Sequence, residues 1–247
     1  MVELAHRSGE VALRYFASSE LGREDKEDET PVTRGDREAE ELLRSLIEER
    51  CPDHGIIGEE YGSVRTDAEF VWVLDPIDGT KSYASAVPLY GTLIGLMRGG
   101  RPYLGAIHQP NLGWLLIGDG KETVLNGQPV RVRDCEALSQ ATLLATDPHL
   151  IRKAAGGALW DEIAAEAKLY RSWGDCFGYM QVATGWADVM LDPKLALWDK
   201  MALIPVMEGA GGIITDWEGN DAATGKSILA TVPSMHSLMV KRLAGQA

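Results

Sequence analysis

Cysteine is scarce in this chain: three thiols in 247 residues, at Cys51, Cys135 and Cys176, odd in number and far apart. That excludes a disulfide framework and a Cys-rich metal site, and it fits a reduced cytoplasm. Histidine is equally sparse. The five histidines, at 6, 54, 108, 149 and 236, never take the four-residue helical spacing of a zinc site, so any metal must be held by oxygen. No apolar run has the length of a bilayer span, and the opening stretch MVELAHRSGEVALRYF carries charges where a signal peptide needs an apolar core. No membrane partner is therefore expected. Long basic runs are missing too. A formal net charge of -13 repels polyanions, which argues against nucleic acid or an anionic membrane as a partner. A phosphorylated small molecule would also be repelled unless bound cations reverse the sign locally.

What is present is an ordinary globular composition, 45% hydrophobic and 25% charged, without repeats or low-complexity tracts. The length suits one compact unit or two fused lobes. Residues 1–125 read as an α+β half. A helix runs to about residue 19, a polar loop follows from Ser18 to Glu29, and a second helix starts near Asp36 with Ala39, Leu42, Leu43, Leu46 and Ile47 on one face. Cys51 and Pro52 end it, and GIIG, FVWVL, LYGTLIGLM and YLGAI then read as strands. Residues 126–247 alternate strand and helix, an α/β pattern: ATLLAT, a helix around Leu159, KLYRS, a helix from Asp175, ADVML, a helix from Trp198, then GGIIT, SILAT and a closing helix.

The chemistry concentrates in VLDPIDGTKSY, residues 73–83. Asp75 and Asp78 flank a stiff proline and leave the end of an apolar strand, an arrangement suited to a hard cation such as magnesium, which takes oxygen ligands. Gly79 and Thr80 then open a short helix whose free N–H groups suit a phosphate oxygen. The plainer alternative is a capped helix with Asp78 as N-cap. A calcium loop fails because Ile77 falls where an oxygen ligand is required. An aspartyl-phosphate enzyme fails because two residues separate the aspartates where one is needed. Two further acidic stretches add weight: Glu59 and Glu60 in GIIGEEYG, and Asp199 in LALWDKMALIPV.

Taken together, GEE, DPIDGT, WD before a helix and a GGIITD strand resemble the inositol monophosphatase-like superfamily of metal-dependent phosphatases, over nearly the whole chain. The resemblance implies a layered αβαβα sandwich, mixed α/β and α+β, with two halves meeting at the metal site. It implies that Glu59, Asp75, Asp78, Asp199 and the Ile77 carbonyl hold two or three magnesium ions, and that Asp36 and Thr80 orient the attacking water. Glu59 joins them as a catalytic position, and Asp78, Gly79 and Thr80 form the phosphate-binding set. In-line displacement without a covalent phosphoenzyme is the implied reaction. A homodimer is the assembly common in this family.

Within the superfamily, three stretches resemble the histidinol-phosphate phosphatases: IDGTKSYASAVPLYGTLIGL, LGAIHQP and RSWGDCFGYMQVATGWADV. The expected substrate is therefore L-histidinol phosphate, whose cationic groups an acidic pocket favours. Asp175, Cys176, Asp192 and Asp199 are its expected contacts. The plainer readings are an N-cap for Asp175 and a turn before Pro193 for Asp192. Inositol 1-phosphate or a sugar phosphate is the alternative substrate, and a non-catalytic metal-binding regulatory protein is the alternative from another class.

Overall fold

The structure, a computed structural model, describes residues 1–26 and 30–245. The amino-terminal part contains α1 (Val2–Tyr15), β1 (Glu24–Asp25), β2 (Pro31–Val32), α2 (Arg34–Arg50), β3 (Gly55–Gly58), β4 (Gly62–Val64), β5 (Phe70–Asp78) and α3 (Thr80–Ala84). Then come β6 (Gly91–Arg98), β7 (Arg101–Gln109), β8 (Trp114–Gly118), β9 (Thr123–Leu125) and β10 (Gln128–Pro129). Strands β3 to β10 make one eight-stranded sheet in the order β10-β9-β8-β7-β6-β5-β3-β4, antiparallel apart from the β3–β5 pair.

The second part holds β11 (Thr142–Ala145), α4 (Pro148–Ala155), α5 (Gly157–Glu166), β12 (Leu169–Arg171), α6 (Asp175–Ala183) and β13 (Val189–Asp192). It ends with α7 (Leu197–Lys200), α8 (Leu203–Gly209), β14 (Ile213–Thr215), β15 (Ile228–Thr231) and α9 (Pro233–Leu243). Its sheet runs β12-β11-β13-β15-β14.

Alternation along β5 explains the layering. Val71 and Val73 pack to one side, Trp72 and Leu74 to the other, and all four are buried, so both sheet faces need a cover. Leu4, Ala5, Leu43 and Ile47 of α1 and α2 cover the outer face. Cys176, Met180, Val206 and Met207 of α6 and α8 cover the inner one, and the same cluster includes Leu144, Met190 and Ala230 of the second sheet. Ile151, Trp160, Ile163, Met235 and Met239 of α4, α5 and α9 close the far side. The result is the αβαβα sandwich.

Several elements depart from the sequence reading. Helix α1 stops at Tyr15, because Phe16 turns extended and Ala17 takes a left-handed φ of 54°. In the stretch read as a loop, β1 pairs with β2 in a short ribbon, and residues 27–29 lie outside the described residues. Strands β4, β8, β9 and β10 were not anticipated, being short hairpin strands with little pattern of their own. The helix around Leu159 is preceded by a separate one, α4, split off at Gly156 with φ 89°. The helix from Trp198 is also two segments, α7 and α8. The second sheet is mixed: β11 pairs in parallel with β12 and β13, whereas β15 is antiparallel to β13 and β14, correcting a purely α/β pattern there.

Candidate metal centre

The end of β5 is bulged. Asp75 faces Leu93 and Asp78 faces Gly91, so three steps on β5 oppose two on β6. Pro76 at the bulge has no N–H for the ladder, and its carbonyl accepts the Thr92 hydroxyl at 2.8 Å. The Ile77 N–H turns back to Asp75 Oδ1 at 3.1 Å. A strict strand would send Asp75 and Asp78 to opposite faces; the bulge brings both carboxylates to one place. Gly79 follows with φ 88°, and a Cβ there would stand 2.8 Å from the Leu89 carbonyl. Only glycine suits both conditions.

Asp199 arrives from α7 and completes a cluster in which carboxylate oxygens of Asp75, Asp78 and Asp199 lie within 4.8 Å of one another. Its Oδ2 also accepts the Ala196 N–H at 2.7 Å, so the capping role and the cluster coexist. Asp78 makes no capping bond to α3; its Oδ2 accepts the Cys176 N–H at the start of α6. Asp175, beside it, adopts φ 50° and donates its N–H to Thr146 Oγ1 at 2.8 Å. It makes no N-cap bond; Gly174 holds that position. A non-glycine residue in the left-handed region is uncommon and marks a constrained place.

Electrostatics describe a site in need of positive charge. Burial, then Glu59, Asp78 and Asp199, push the Asp75 carboxyl well above its ordinary range. Burial, then Asp175 and Asp199, do the same to Asp78. Asp199 is raised mainly by burial, and Asp175 is pushed up to about 7 by burial and Asp199. Buried carboxylates this close resist joint ionisation unless a cation offsets them. An all-oxygen, anionic, largely buried donor set fits a hard divalent cation.

Glu59 lines the same cleft, of about 630 Å³, as Asp75, Asp78, Thr80 and Asp199, but it stands outside the aspartate cluster. Its Oε1 accepts Lys26 Nζ at 2.8 Å, and Glu60 accepts the same ammonium at 2.7 Å. Burial alone would lower the Lys26 pKa; the two carboxylates outweigh it and raise it. Asp36 is buried at the head of α2, where its Oδ2 accepts the Thr33 N–H at 2.8 Å and hydroxyl at 2.6 Å. Burial pushes Asp36 up to about 7 against those two bonds. The Thr80 hydroxyl lies 3.0 Å from the Ile77 carbonyl and 3.4 Å from Asp36 Oδ1.

A smaller recess of about 120 Å³ shares Asp78, Asp175 and Asp199 with the cleft and adds Asp192 and Tyr179. Asp192 ends β13; its carboxylate accepts the Tyr179 hydroxyl at 2.8 Å and the Thr146 N–H at 3.3 Å. Burial raises it to about 7 despite those bonds. Cys176 is buried against Asp78 and lines neither the cleft nor the recess, so the structure does not bring it to a substrate-facing position; burial, then Asp78, pushes its thiol up. Lys26 and Thr146 escaped the sequence reading: each is a common residue in an unremarkable stretch, and only long-range packing brings it here.

A family model described as the inositol monophosphatase family matches residues 1–246. The chain is 44% identical over 219 residues to the chloroplastic bifunctional phosphatase IMPL2 of Arabidopsis thaliana, covering 87% of this chain and 63% of that protein. It is 39% identical over 222 residues to a histidinol-phosphatase of Chlorobaculum parvum, covering 90% and 86%. A solved structure of an inositol monophosphatase from Zymomonas mobilis superposes with a TM-score of 0.85 at 33% identity, covering 98% and 97%. A match of that extent, on the fold and the acidic cluster already described, makes the chain a phosphatase of the inositol monophosphatase family.

Proposed function

We propose that this chain is a magnesium-dependent phosphomonoesterase that hydrolyses L-histidinol phosphate to L-histidinol and phosphate, a step of histidine biosynthesis. The observation that carries the reading is the acidic recess: Asp175, Asp192 and Asp199 line it next to Asp78. A substrate bearing an ammonium and an imidazole gains charge complementarity there that a neutral polyol does not. The names of the Chlorobaculum parvum relative and of a Mycobacterium tuberculosis protein, 32% identical over 97% of this chain, support it.

Asp75, Asp78, Asp199, Glu59 and the Ile77 carbonyl would hold two or three magnesium ions. When bound, they supply charge neutralisation at the phosphate and acidify water. The chain's own groups do the rest. The Gly79 and Thr80 N–H groups, beside Asp78, receive phosphate oxygens, and Thr80 with Asp36 fixes the attacking water and takes up its proton. The water oxygen bonds to phosphorus, the ester P–O bond breaks, and the leaving alcohol oxygen gains a proton from solvent as Asp36 returns to solvent the one it took up. Asp192 and Asp175 hold the cationic end of the substrate, with Cys176 packed behind. The reading includes a homodimer and a cytoplasmic setting, the latter supported by three free cysteines.

One observation favours a second reading. Asp192 raised to about 7 is partly protonated near neutrality, and a neutral carboxyl serves a polyol hydroxyl well, which suits inositol 1-phosphate or a sugar phosphate. Phosphate release with magnesium from histidinol phosphate, inositol 1-phosphate and a sugar phosphate, with a chelator control, decides between them. A large preference in kcat/KM for histidinol phosphate supports the proposal. Comparable rates favour the broad phosphatase, and no metal-dependent release favours a non-catalytic metal-binding protein.

A further inference from the structure

Glu40 on α2 is fully buried, yet it belongs neither to the aspartate cluster nor to the lining of the cleft. Its Oε2 accepts the Glu60 N–H at 2.7 Å, and its Oε1 accepts the Tyr61 N–H at 3.1 Å. Arg44, one helical turn on, donates Nε to Glu40 Oε1 at 2.8 Å and Nη2 to the Gly62 carbonyl. Two side chains from one helix thus satisfy three successive residues: Glu60 and Tyr61 of the turn between β3 and β4, and Gly62 at the start of β4. Gly58, just before that turn, leaves the room: a Cβ on it would overlap the Glu40 carboxylate and crowd Arg44.

Burying a carboxylate is unfavourable unless it is paired and hydrogen-bonded. Among the described residues, the side-chain hydrogen bonds that Glu40 accepts come from Arg44 and from this turn. The turn begins with Glu59, whose N–H bonds to the Leu74 carbonyl, next to Asp75. Glu59 is therefore held on both sides, by the sheet through its own N–H and by Glu40 through the next two.

We propose that Glu40, braced by Arg44, is a positioning residue for the metal centre: it fixes the turn from which Glu59 reaches the cleft and so sets cation affinity at the position Glu59 serves. This rests on the metal-centre reading above. Outer partners that orient a ligand typically change metal affinity by about 10- to 100-fold.

The test is cation binding by the full chain, with manganese followed by electron paramagnetic resonance and magnesium by calorimetry. Glu40→Gln keeps the volume but turns one acceptor into a donor; it is expected to weaken one cation position by about 10-fold or more and spare the others. Arg44→Met leaves both turn bonds of Glu40 in place and should give a smaller shift, which keeps the test open if Glu40→Gln folds poorly. In a Glu59→Gln background the Glu40→Gln effect should vanish, since coupled residues are not additive. An unchanged isotherm with a lowered melting temperature, or full additivity with Glu59→Gln, overturns the proposal alone. An unsubstituted chain that takes up no manganese overturns the metal-centre reading together with it.

Discussion

Lys26 Nζ lies 2.8 Å from Glu59 Oε1, so an ammonium rests on a carboxylate proposed above as a metal ligand. The same ammonium holds Glu60, and both contacts are partly shielded from water. A divalent cation drawn to Glu59 must share or displace this lysine. Lys26→Met is expected to tighten magnesium binding several-fold, read by calorimetry. Unchanged binding would show that Lys26 does not compete with the cation, and weaker binding that it assists.

The cluster itself should behave as a unit. Asp199→Asn or Asp75→Asn takes a negative charge out of the proposed ligand set, so metal affinity and turnover are expected to fall together by about 100-fold or more, the upper end of what outer partners cost. Magnesium titrations of binding and of phosphate release check this side by side. Normal activity in the Asp75→Asn protein would contradict it.

Thr80 and Asp36 should separate chemistry from binding. Thr80→Val is expected to lower kcat by about 10²- to 10⁴-fold, the range of positioned proton transfer, with cation affinity retained. Asp36→Asn carries a second cost. Its carboxylate belongs to the Thr33 capping box of α2, so loss of that box adds a stability change to the kinetic one. Denaturant unfolding beside kinetics distinguishes the two losses.

Charge selectivity points to Asp192. Asp192→Asn is expected to reduce kcat/KM for histidinol phosphate by roughly 30-fold or more, as for a charge pair worth about 2 kcal/mol, while inositol 1-phosphate changes far less. Equal losses on both substrates would make Asp192 a structural residue.

The raised carboxyls set the pH dependence of the chelated protein. Asp36, Asp175 and Asp192 sit near 7 in the folded chain against 3.8 unfolded, so between about pH 4 and pH 7 the folded state binds more protons. Stability must then fall as pH rises through that window. Melting temperature in chelator is expected to drop from about pH 5 to about pH 8, and magnesium should raise it more at the higher pH, where fewer protons need displacing. A chelated melting temperature that rises across the window would refute this assignment.

The site was legible where its chemistry is local. DPIDGT puts a stiff proline, two carboxylates and a glycine within six residues, whereas the bulge and the Thr92 and Cys176 contacts that bring Asp75 and Asp78 together appear only in the structure. WD before a helix was readable for the same reason. Glu40 was not. It falls between Ala39 and Leu43 on the buried face of α2, and an acid beside an apolar stripe normally reads as a solvated edge. The four-residue step from Asp36 to Glu40 was the available signal, since it places two acids on that face. Lys26 stands in a run of charges, and nothing in such a run marks the one that turns inward. In the fold, strongly periodic helices were legible, whereas short strands such as β8 and β9 owe their existence to neighbours in the sheet. The antiparallel half of the second sheet was hidden for a related reason, since direction depends on the path of connections.

The Cys176 N–H that bonds Asp78 belongs to the helix between the two sheets, and Asp199 follows Asp78 by more than a hundred residues. During translation, Asp75 and Asp78 leave the ribosome long before their partner exists. A nascent chain therefore carries an acidic half-site with nothing to close it until the last third of the protein has docked. Closure of the aspartate cluster is in that sense a property of the finished fold, present only once the two sheets have met.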